Sequence, residues 1–218
     1  LENTSYLNSH MMKNTEWGAV AYLSRSVYGK NGEVWNNPYY NNTTNYSPIT
    51  GLCGNASNGK DNETTDIAKT YKYNETGGGN ASTTGNVYGI YDMAGGAWEY
   101  VAGYLSEITA LTNYTTLASA DPKYKDVYAG NSSDRNTNYN ANTGKYGDAV
   151  YETSSSGYGG TGSWDSGYSG FPASSYPVFL RGGLASGGSS AGVFAFFSGT
   201  GDAGTVISFR PVVLSSQP

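Results

Sequence analysis

Two long tracts of turn-forming residues occupy more than half of this 218-residue chain, and they limit the folds that it can adopt. The first tract runs from Asn31 to Thr84 and contains NNPYYNNTTNYSP, GNASNGKDN and ETGGGNAS; the second runs from about residue 107 to 170. Asn, Gly, Ser and Pro favour turns over helices and strands. Loops this long are uncommon in a compact domain unless they are functional or stiffened by aromatic side chains. The tracts therefore predict a loop-rich fold with few helices.

The segments outside these tracts predict the regular elements. Residues 14–28 predict a helix that is capped by Asn14 or Thr15 and ended by Gly29. The apolar positions at helical spacing are Trp17, Val20, Ala21, Val27 and Tyr28. Core residues return at 86–103, strands are predicted at 176–182, 192–197 and 206–213, and KYKDVY and GDAVYE each fit a strand or a short helix. The expected class is α+β.

Charge, length and apolar content exclude several kinds of protein. The net charge of -5 provides no basic surface for nucleic acid or for an anionic membrane. No apolar run approaches the roughly 20 residues of a membrane span, so no direct membrane insertion of this chain is expected. A single domain over residues 1–218 is expected. Because the chain begins at LENTSY without Met, we expect it to be the C-terminal part of a longer protein with its anchor or signal upstream.

Three motifs along the chain resemble one known family. GIYDMAGGAWEYV (89–101) resembles the GLYDMAGNVWEW signature of the formylglycine-generating enzyme (sulfatase-modifying factor) family, whose fold is a variant of the C-type lectin fold. TEWGAVAYLS (15–24) resembles its early Trp-bearing helix, and FLRGG (179–183) with SFRPV (208–212) resembles its closing element. The sequence departs from the family at Gly96 and Ala97, where Asn and Val are usual. The resemblance implies a C-type lectin-like fold with short antiparallel strands and much irregular chain.

The catalytic residues of that family have no counterpart here. Its catalytic members carry a pair of copper-binding cysteines shortly after RGG, whereas residues 184–190 read LASGGSS. Serine does not replace the thiolate that Cu(I) requires. Cys53 and His10 are the only cysteine and the only histidine, and both are interpreted as packed or surface residues. Asp92 and Glu99 are interpreted as internal hydrogen-bond acceptors. No catalytic residue, metal site or cofactor is therefore expected.

The C-terminal residues are similar to the variable proteins of diversity-generating retroelements, which display mutated residues on this lectin-type fold. The similarity implies a constant scaffold of Arg181–Gly183, Gly188, 191–196, Gly201, Ala203 and 207–212. The intervals between these constants would be the diversified, ligand-binding positions. They are Leu184, Ala185, Ser186, Gly187, Ser189, Ser190, Phe197, Ser198, Gly199, Thr200, Asp202, Gly204, Thr205 and Val206.

The genetic code provides a check on those positions. The main targets of such retroelements are Asn codons of the AAY type. Changing the first two bases of these codons cannot produce Met, Trp, Lys, Glu or Gln, and none of the five occurs at the proposed positions. A Gly/Ser-rich loop of ordinary origin remains the alternative explanation.

The resulting expectation is a non-catalytic ligand-binding domain of a bacterial surface protein or a phage virion, with a protein or glycan on a cell surface as its partner. Leu184, Ser186, Phe197, Thr200, Asp202 and Thr205 are predicted to form one exposed patch framed by upstream Tyr and Trp. Trp98, Val193 and Phe196 are predicted to be core residues, and Arg181 and Arg210 to be internal donors. An oxidoreductase with an unrecognised site and a purely structural surface or tail protein remain open alternatives.

Overall fold

The protein is described here by a computed structural model that covers residues 7–41, 47–56, 59–107 and 115–215. The helices of these ranges are α1 (Asn14–Arg25), α2 (Thr115–Ser119) and α3 (Arg135–Asn140), with short 3-10 turns at Ile67–Lys69, Gly78–Ala81, Pro122–Tyr124, Trp164–Ser166 and Ala185–Ser190. The strands are β1 (Leu7–Met11), β2 (Leu52–Gly54), β3 (Thr70–Lys72), β4 (Trp98–Leu105), β5 (Asp126–Tyr128), β6 (Val178–Gly182), β7 (Gly192–Gly199), β8 (Ile207–Phe209) and β9 (Pro211–Ser215). The predicted α+β class with few helices is confirmed, and the strands form small sheets.

The largest sheet has the order β5-β4-β6-β7. β4 and β6 pair antiparallel, as do β6 and β7, with Arg181 opposite Phe196. On its other edge β4 pairs in parallel with β5 at one end and with β8 at the other. The expectation of antiparallel strands is therefore wrong for β5 and β8. The outer edge of β7 is covered by residues 168–170, since Phe196 donates to Tyr168 and Gly170 donates to Phe196.

Two further strand pairs lie outside this sheet. β1 pairs antiparallel with β9, which joins the two ends of the described chain, and β2 pairs with β3. The prediction of one strand over 206–213 is wrong, because the chain leaves β4 at Arg210 and continues as β9 against β1. Pro211 opens β9, a position where the missing N–H costs no ladder bond. Phe209 and Val213 are 61% and 59% exposed, so this C-terminal run is not core.

Helix α1 begins where predicted but ends three residues early. Its cap differs from the expectation, because the buried Asn14 side chain turns to Tyr128 and Asp148, whereas Asp126 accepts the N–H of Thr15. The helix ends at Arg25, where Ser26 leaves helical geometry. Only part of the predicted apolar face therefore lies on the helix and is buried. Trp17 and Ala21 are fully buried and Val20 is partly buried, but Val27 and Tyr28 lie beyond the helix and are 77% and 88% exposed.

The three motifs of the family resemblance meet around Trp17, which is fully buried. Its indole N–H donates to the carbonyl of Val193 at 2.8 Å. The guanidinium groups of Arg181 and Arg210 lie 5.8 and 5.4 Å from the indole ring. A Cβ on Gly182 would lie 3.3 Å from the same ring and 3.4 Å from the carbonyl oxygen of Met93. Motifs separated by up to nearly 200 residues thus share one packed centre.

The irregular tracts are held by buried asparagine side chains. The Asn36 side chain donates to the carbonyl of Asp61 and accepts a hydrogen bond from the N–H of Asp61. One side-chain amide thus satisfies both backbone groups of Asp61. Asn142 makes the same pair of bonds with Ala129, and Asn138 bonds Ser132 and Pro172. Such bonds satisfy backbone groups that no helix or strand satisfies. The dense asparagine content therefore has a structural use in this part of the chain.

Of the two segments expected to form a strand or a short helix, KYKDVY contains the end of a 3-10 turn and strand β5. The prediction is wrong for GDAVYE, because residues 147–152 form bends and turns that bury Ala149 and Val150. Of the helices described, none is long and apolar enough to span a lipid bilayer.

Candidate functional site

The predicted ligand-binding positions fall in three intervals of the C-terminal chain, 184–190, 197–200 and 202–206. The first interval forms the 3-10 turn between β6 and β7, the second is the end of β7, and the third is the loop from β7 to β8. Strand β7 connects the first two intervals, and its residues 192–196 are all buried. The predicted burial of Val193 and Phe196 is confirmed at 3% and 0% exposure.

Contacts with Gly96–Trp98 bring the three intervals to one region. The N–H of Ala185 donates to the carbonyl of Gly96 at 2.7 Å, and the N–H of Trp98 donates to the carbonyl of Val206 at 3.0 Å. The indole of Trp98 lies 6.0 Å from the ring of Phe197. Each interval thus has a direct contact with this short segment of the GIYDMAGGAWEYV motif.

Phe197 is the large apolar side chain of the intervals, and it is only partly buried. Its ring contacts Trp98 and meets Tyr168 edge-on at 5.2 Å. The guanidinium of Arg135 lies 4.7 Å from the ring centre. Tyr168 also donates its backbone N–H to the carbonyl of Ser190, which ties the first interval to the second. Phe197 is therefore surrounded by an aromatic and cationic rim of Trp98, Tyr168 and Arg135, which all lie outside the three intervals.

The loop that follows β7 is shaped by a local hydrogen-bond turn. The hydroxyl of Thr200 donates to the carboxylate of Asp202 at 2.6 Å, and the N–H of Asp202 donates to the same hydroxyl at 3.3 Å. The N–H of Gly201 donates to the phenol oxygen of Tyr100 at 2.9 Å. Gly201 has φ +91, a conformation that other residues rarely adopt. The backbone therefore favours glycine at this position, which the sequence analysis assigns to the expected constant scaffold.

The intervals are not exposed throughout. Ala185 and Ser198 are each 3% exposed, and Gly199 is buried against the phenol of Tyr100, where a Cβ would lie 2.5 Å from the oxygen. The Ser198 hydroxyl accepts a hydrogen bond from Arg135. Of the predicted binding residues, these three are buried, so they do not belong to the exposed surface. The side chains of the predicted patch are all at least partly exposed, those of Ser186, Asp202 and Thr205 most clearly.

Thr205 lines a cleft of about 570 Å³ between the GIYDMAGGAWEYV motif and β8. The floor of the cleft holds Glu99, which is 5% exposed and receives a bidentate hydrogen bond from Arg210. Arg210 also donates to the carbonyls of Tyr91 and Asp92. Burial raises the pKa of Glu99, and the bond from Arg210 opposes that rise. The prediction that Arg210 fastens the interior is confirmed.

Asp92 is a second buried acceptor in this region. Its carboxylate accepts the side-chain N–H of Asn37 at 2.8 Å and the backbone N–H of Gly51 at 2.9 Å. Burial raises its pKa, and these two bonds oppose the rise. Asp92 and Glu99 are thus the internal acceptors that the sequence predicted, and each one positions a loop around the cleft.

The sequence did not predict which side chains form the rim around Phe197. Trp98 was predicted to be core but is only partly buried, because its strand ends at the surface beside Val206. Tyr168 and Arg135 lie in the polar tract 107–170, among turn residues that carry no periodic signal. The expectation of framing Tyr and Trp was general, and nothing in the sequence singled out these two side chains.

The remaining candidate residues lie outside the intervals. The Nε2 atom of His10 contacts the Glu16 carboxylate at 3.0 Å, and its ring packs 5.1 Å from Tyr124, so its interpretation as a packed residue is confirmed. Cys53 is fully buried and forms no disulfide, which agrees with its interpretation as a packed thiol. Within the described ranges no three His, Cys, Asp or Glu side chains converge in a way that could hold a metal ion.

No protein-family model matches the chain, and no curated protein matches it either. A function for the chain has to rest on the residues and contacts described above.

Proposed function

We propose that this chain is a ligand-binding display domain with a C-type lectin-like fold of the formylglycine-generating enzyme type. In this proposal its exposed C-terminal residues are diversified by a retroelement, and it belongs to a bacterial surface protein or a phage receptor-binding protein. Its partner is a protein or glycan on a cell surface. The proposal assigns it no catalytic residue and no cofactor.

The family part of the proposal is supported by the packing of the three motifs around Trp17. A chance resemblance in separate stretches of an unrelated fold would not require those stretches to touch. The departure at Gly96 is also compatible with the family, because Gly96 has φ +71 and Asn is among the residues that best tolerate this region. A glycine in place of the usual asparagine therefore leaves the backbone of the motif unchanged.

The display part is supported above all by one observation, the alternation of burial along residues 181–200. The constants Arg181–Gly183, Gly188 and 191–196 are all buried, whereas most side chains of the first two intervals are at least partly exposed. Randomised exposed positions change stability by only about ±0.5 kcal/mol, but truncating a buried aromatic costs about 3–5 kcal/mol. A scaffold with this alternation tolerates variation in the intervals and not between them.

The proposed surface has large aromatic and cationic side chains at its centre and small side chains at the variable positions. Trp98, Tyr168 and Arg135 belong to the residue types that most often dominate binding energies, and they surround Phe197. The variable positions around them are mainly Gly, Ser and Thr, which add little contact area. We therefore expect modest affinity that depends on Phe197 and on the charge of Asp202.

A binding screen tests the proposal. Labelled protein is applied to panels of bacterial cells and surface glycans, and any hit is repeated with Phe197→Ala and Asp202→Asn. We expect each variant to change binding at least several-fold while its far-UV circular dichroism stays that of the parent. The matched control is Tyr88→Ala, which removes a 92% exposed tyrosine outside the intervals and should leave binding unchanged.

The surrounding DNA provides an independent test. A reverse-transcriptase gene and a near-copy of codons 180–212 that differs only at adenines would support diversification. Binding that responds to Tyr88→Ala as strongly as to Phe197→Ala would place the ligand elsewhere and contradict the proposed site. Formylglycine formed in a cysteine-containing peptide, detected by mass spectrometry, would contradict the absence of catalysis.

A further inference from the structure

Lys30 and Asn80 lie 50 positions apart in the chain and meet through their side chains. The Nζ atom of Lys30 donates to the side-chain oxygen of Asn80 at 2.8 Å. Because the Cγ carbon of Asn80 is bonded to this oxygen at about 1.2 Å, Nζ lies no more than about 4 Å from that carbon. An amine and an amide carbonyl carbon are therefore held close to the separation from which they could react.

Backbone hydrogen bonds fix this contact on both sides. The N–H of Lys30 donates to the carbonyl of Thr83 at 2.9 Å, and the N–H of Trp35 donates to the carbonyl of Asn80 at 2.9 Å. Two points of attachment thus hold residues 30–35 against the segment that contains Asn80. The indole ring of Trp35 lies 5.5 Å from Nζ, so residues of both segments contact the end of the lysine side chain.

The protonation of Lys30 and of a nearby carboxylate favours a reaction at this contact. Both Lys30 and Asn80 are partly buried, and burial lowers the pKa of Lys30, although the charge of Glu33 opposes the fall. Desolvation of this kind makes a lysine amine available as a nucleophile, since only the neutral form has a free lone pair.

Glu33 is the acidic residue nearest to Lys30 along the chain, and it lies in the attached segment between Lys30 and Trp35. Its side chain is 25% exposed and forms an ion pair with Lys60. Burial raises the pKa of Glu33, and the hydrogen bond from Lys60 opposes that rise. The pKa values of Lys30 and Glu33 are therefore shifted in the directions that ease the transfer of a proton from ammonium to carboxylate.

We propose that Lys30 and Asn80 form an intramolecular amide cross-link. The neutral Nζ attacks Cγ of Asn80, an N–C bond forms, and the bond from Cγ to the side-chain nitrogen breaks. Glu33 takes a proton from the Lys30 ammonium, gives it to the leaving nitrogen, and takes up the second proton that Nζ loses as the amide forms. Transfer of that proton to the departing ammonia restores the carboxylate, and no oxidant or reductant is needed.

The cross-link would restrain the first turn-rich tract, because it joins the start of that tract to the 3-10 turn Gly78–Ala81. The regular elements described between these two points are short, and β2 and β3 have three residues each. A covalent bond between distant residues stabilises a fold chiefly by restricting the unfolded chain. The proposal is independent of whether any ligand binds the C-terminal surface.

Mass spectrometry of the intact purified chain tests the proposal. The mass should lie about 17 Da below the value calculated from the sequence, which corresponds to the loss of one ammonia. Trypsin should release a branched peptide that joins residues 26–60 to residues 73–123, because the modified Lys30 is not cleaved. A chain at the calculated mass, with residues 26–30 released as a free peptide, would overturn the proposal.

Three variants identify the groups that react. Lys30→Arg keeps the positive charge but removes the reactive amine, so this variant should have its calculated mass. Lys72→Arg is the matched control on an exposed lysine and should show the full loss of ammonia. A loss of ammonia that persists in Lys30→Arg would come from cyclisation of an asparagine onto its own backbone and would overturn the cross-link. Glu33→Gln should leave most chains at their calculated mass, and complete cross-linking in this variant would refute the role of Glu33.

Discussion

Two neighbouring phenylalanines on β7 provide the sharpest test of the division between scaffold and display positions. Phe196→Ala removes a ring that is 0% exposed and lies 6.4 Å from the ring of Phe179. Truncation of a fully buried phenylalanine costs about 3–5 kcal/mol, since the surrounding core closes only partly over the cavity. In a domain of 150–250 residues each kcal/mol corresponds to about 2–4 °C, so the melting temperature should fall by at least about 6 °C.

Phe197→Ala removes a ring of the same size from the opposite face of the strand. Its contacts are Trp98 at 6.0 Å, Tyr168 at 5.2 Å and the Arg135 guanidinium at 4.7 Å. Each aromatic pair contributes about 0.5–1.5 kcal/mol, and an exposed cation–π contact about 0.5–1 kcal/mol. Because the ring is already partly in water, the lower ends apply and the expected cost is about 1–2 kcal/mol. The two variants should therefore differ by at least about 1 kcal/mol and more typically by 2–3 kcal/mol.

Urea unfolding followed by circular dichroism and tryptophan fluorescence measures both free energies under one set of conditions. The slopes of the parent and both variants should agree, which keeps the comparison within two-state behaviour. Equal losses for the two variants would mean that Phe197 is a core residue and that the face of β7 is not a display surface. A small loss for Phe196→Ala would instead refute the assignment of β7 as the buried scaffold.

Further predictions concern the ion pair, the buried thiol and the exposed intervals. Glu99→Gln breaks the partly buried pair with Arg210 and should cost about 3–5 kcal/mol in urea unfolding, and a loss below about 1 kcal/mol would refute the role of the pair as a fastener. Burial raises the pKa of the Cys53 thiol to about 12, so the folded state holds this proton more tightly than the unfolded state. The free energy of unfolding should therefore fall as pH rises above about 9, and this fall should be smaller in Cys53→Ala. Native protein should also react with a thiol reagent far more slowly than urea-unfolded protein. Ser186→Ala and Thr205→Ala should each change the free energy of unfolding by no more than about 0.5 kcal/mol, and larger losses would show that these intervals are structural.

Much of the fold could be predicted because its signals are local. The helix start at Asn14, strand β7 and the turn-rich tracts depend on periodicity and turn chemistry over a few residues. The errors occur where distant chain decides the outcome. Helix α1 ends at Arg25, and the C-terminal strand breaks at Arg210 as its pairing partner changes from β4 to β1. A strand pattern predicts that a segment is extended, but it does not identify the strand with which it pairs.

At the candidate site, too, some residues are buried or exposed as the sequence predicts and others are not. The constants 191–196 are buried as their apolar pattern indicates, and Asp92 and Glu99 are internal acceptors. Trp98 is a large aromatic residue of the kind that usually lies in the core, but here it is only partly buried and lies beside Phe197. Whether a tryptophan is covered depends on which loops cross it, and periodicity contains no information on that. The buried Ser198 is the reverse case, because Arg135 approaches it from a remote helix.

The sequence by itself determined the loop-rich α+β class, the order of the motifs and the positions at which β7 is apolar, because each depends on side chains close together along the chain. Only the tertiary structure decided that the three intervals all contact Gly96–Trp98 and that Arg210 bonds Glu99. It also decided that Arg181 is fully buried without a hydrogen-bond partner in the described part of the chain, so the prediction that it donates to carbonyls, Asp92 or Glu99 is wrong. These outcomes depend on contacts between residues separated by tens to more than a hundred positions. Such contacts follow from how the whole chain packs its buried groups, and no short segment specifies them.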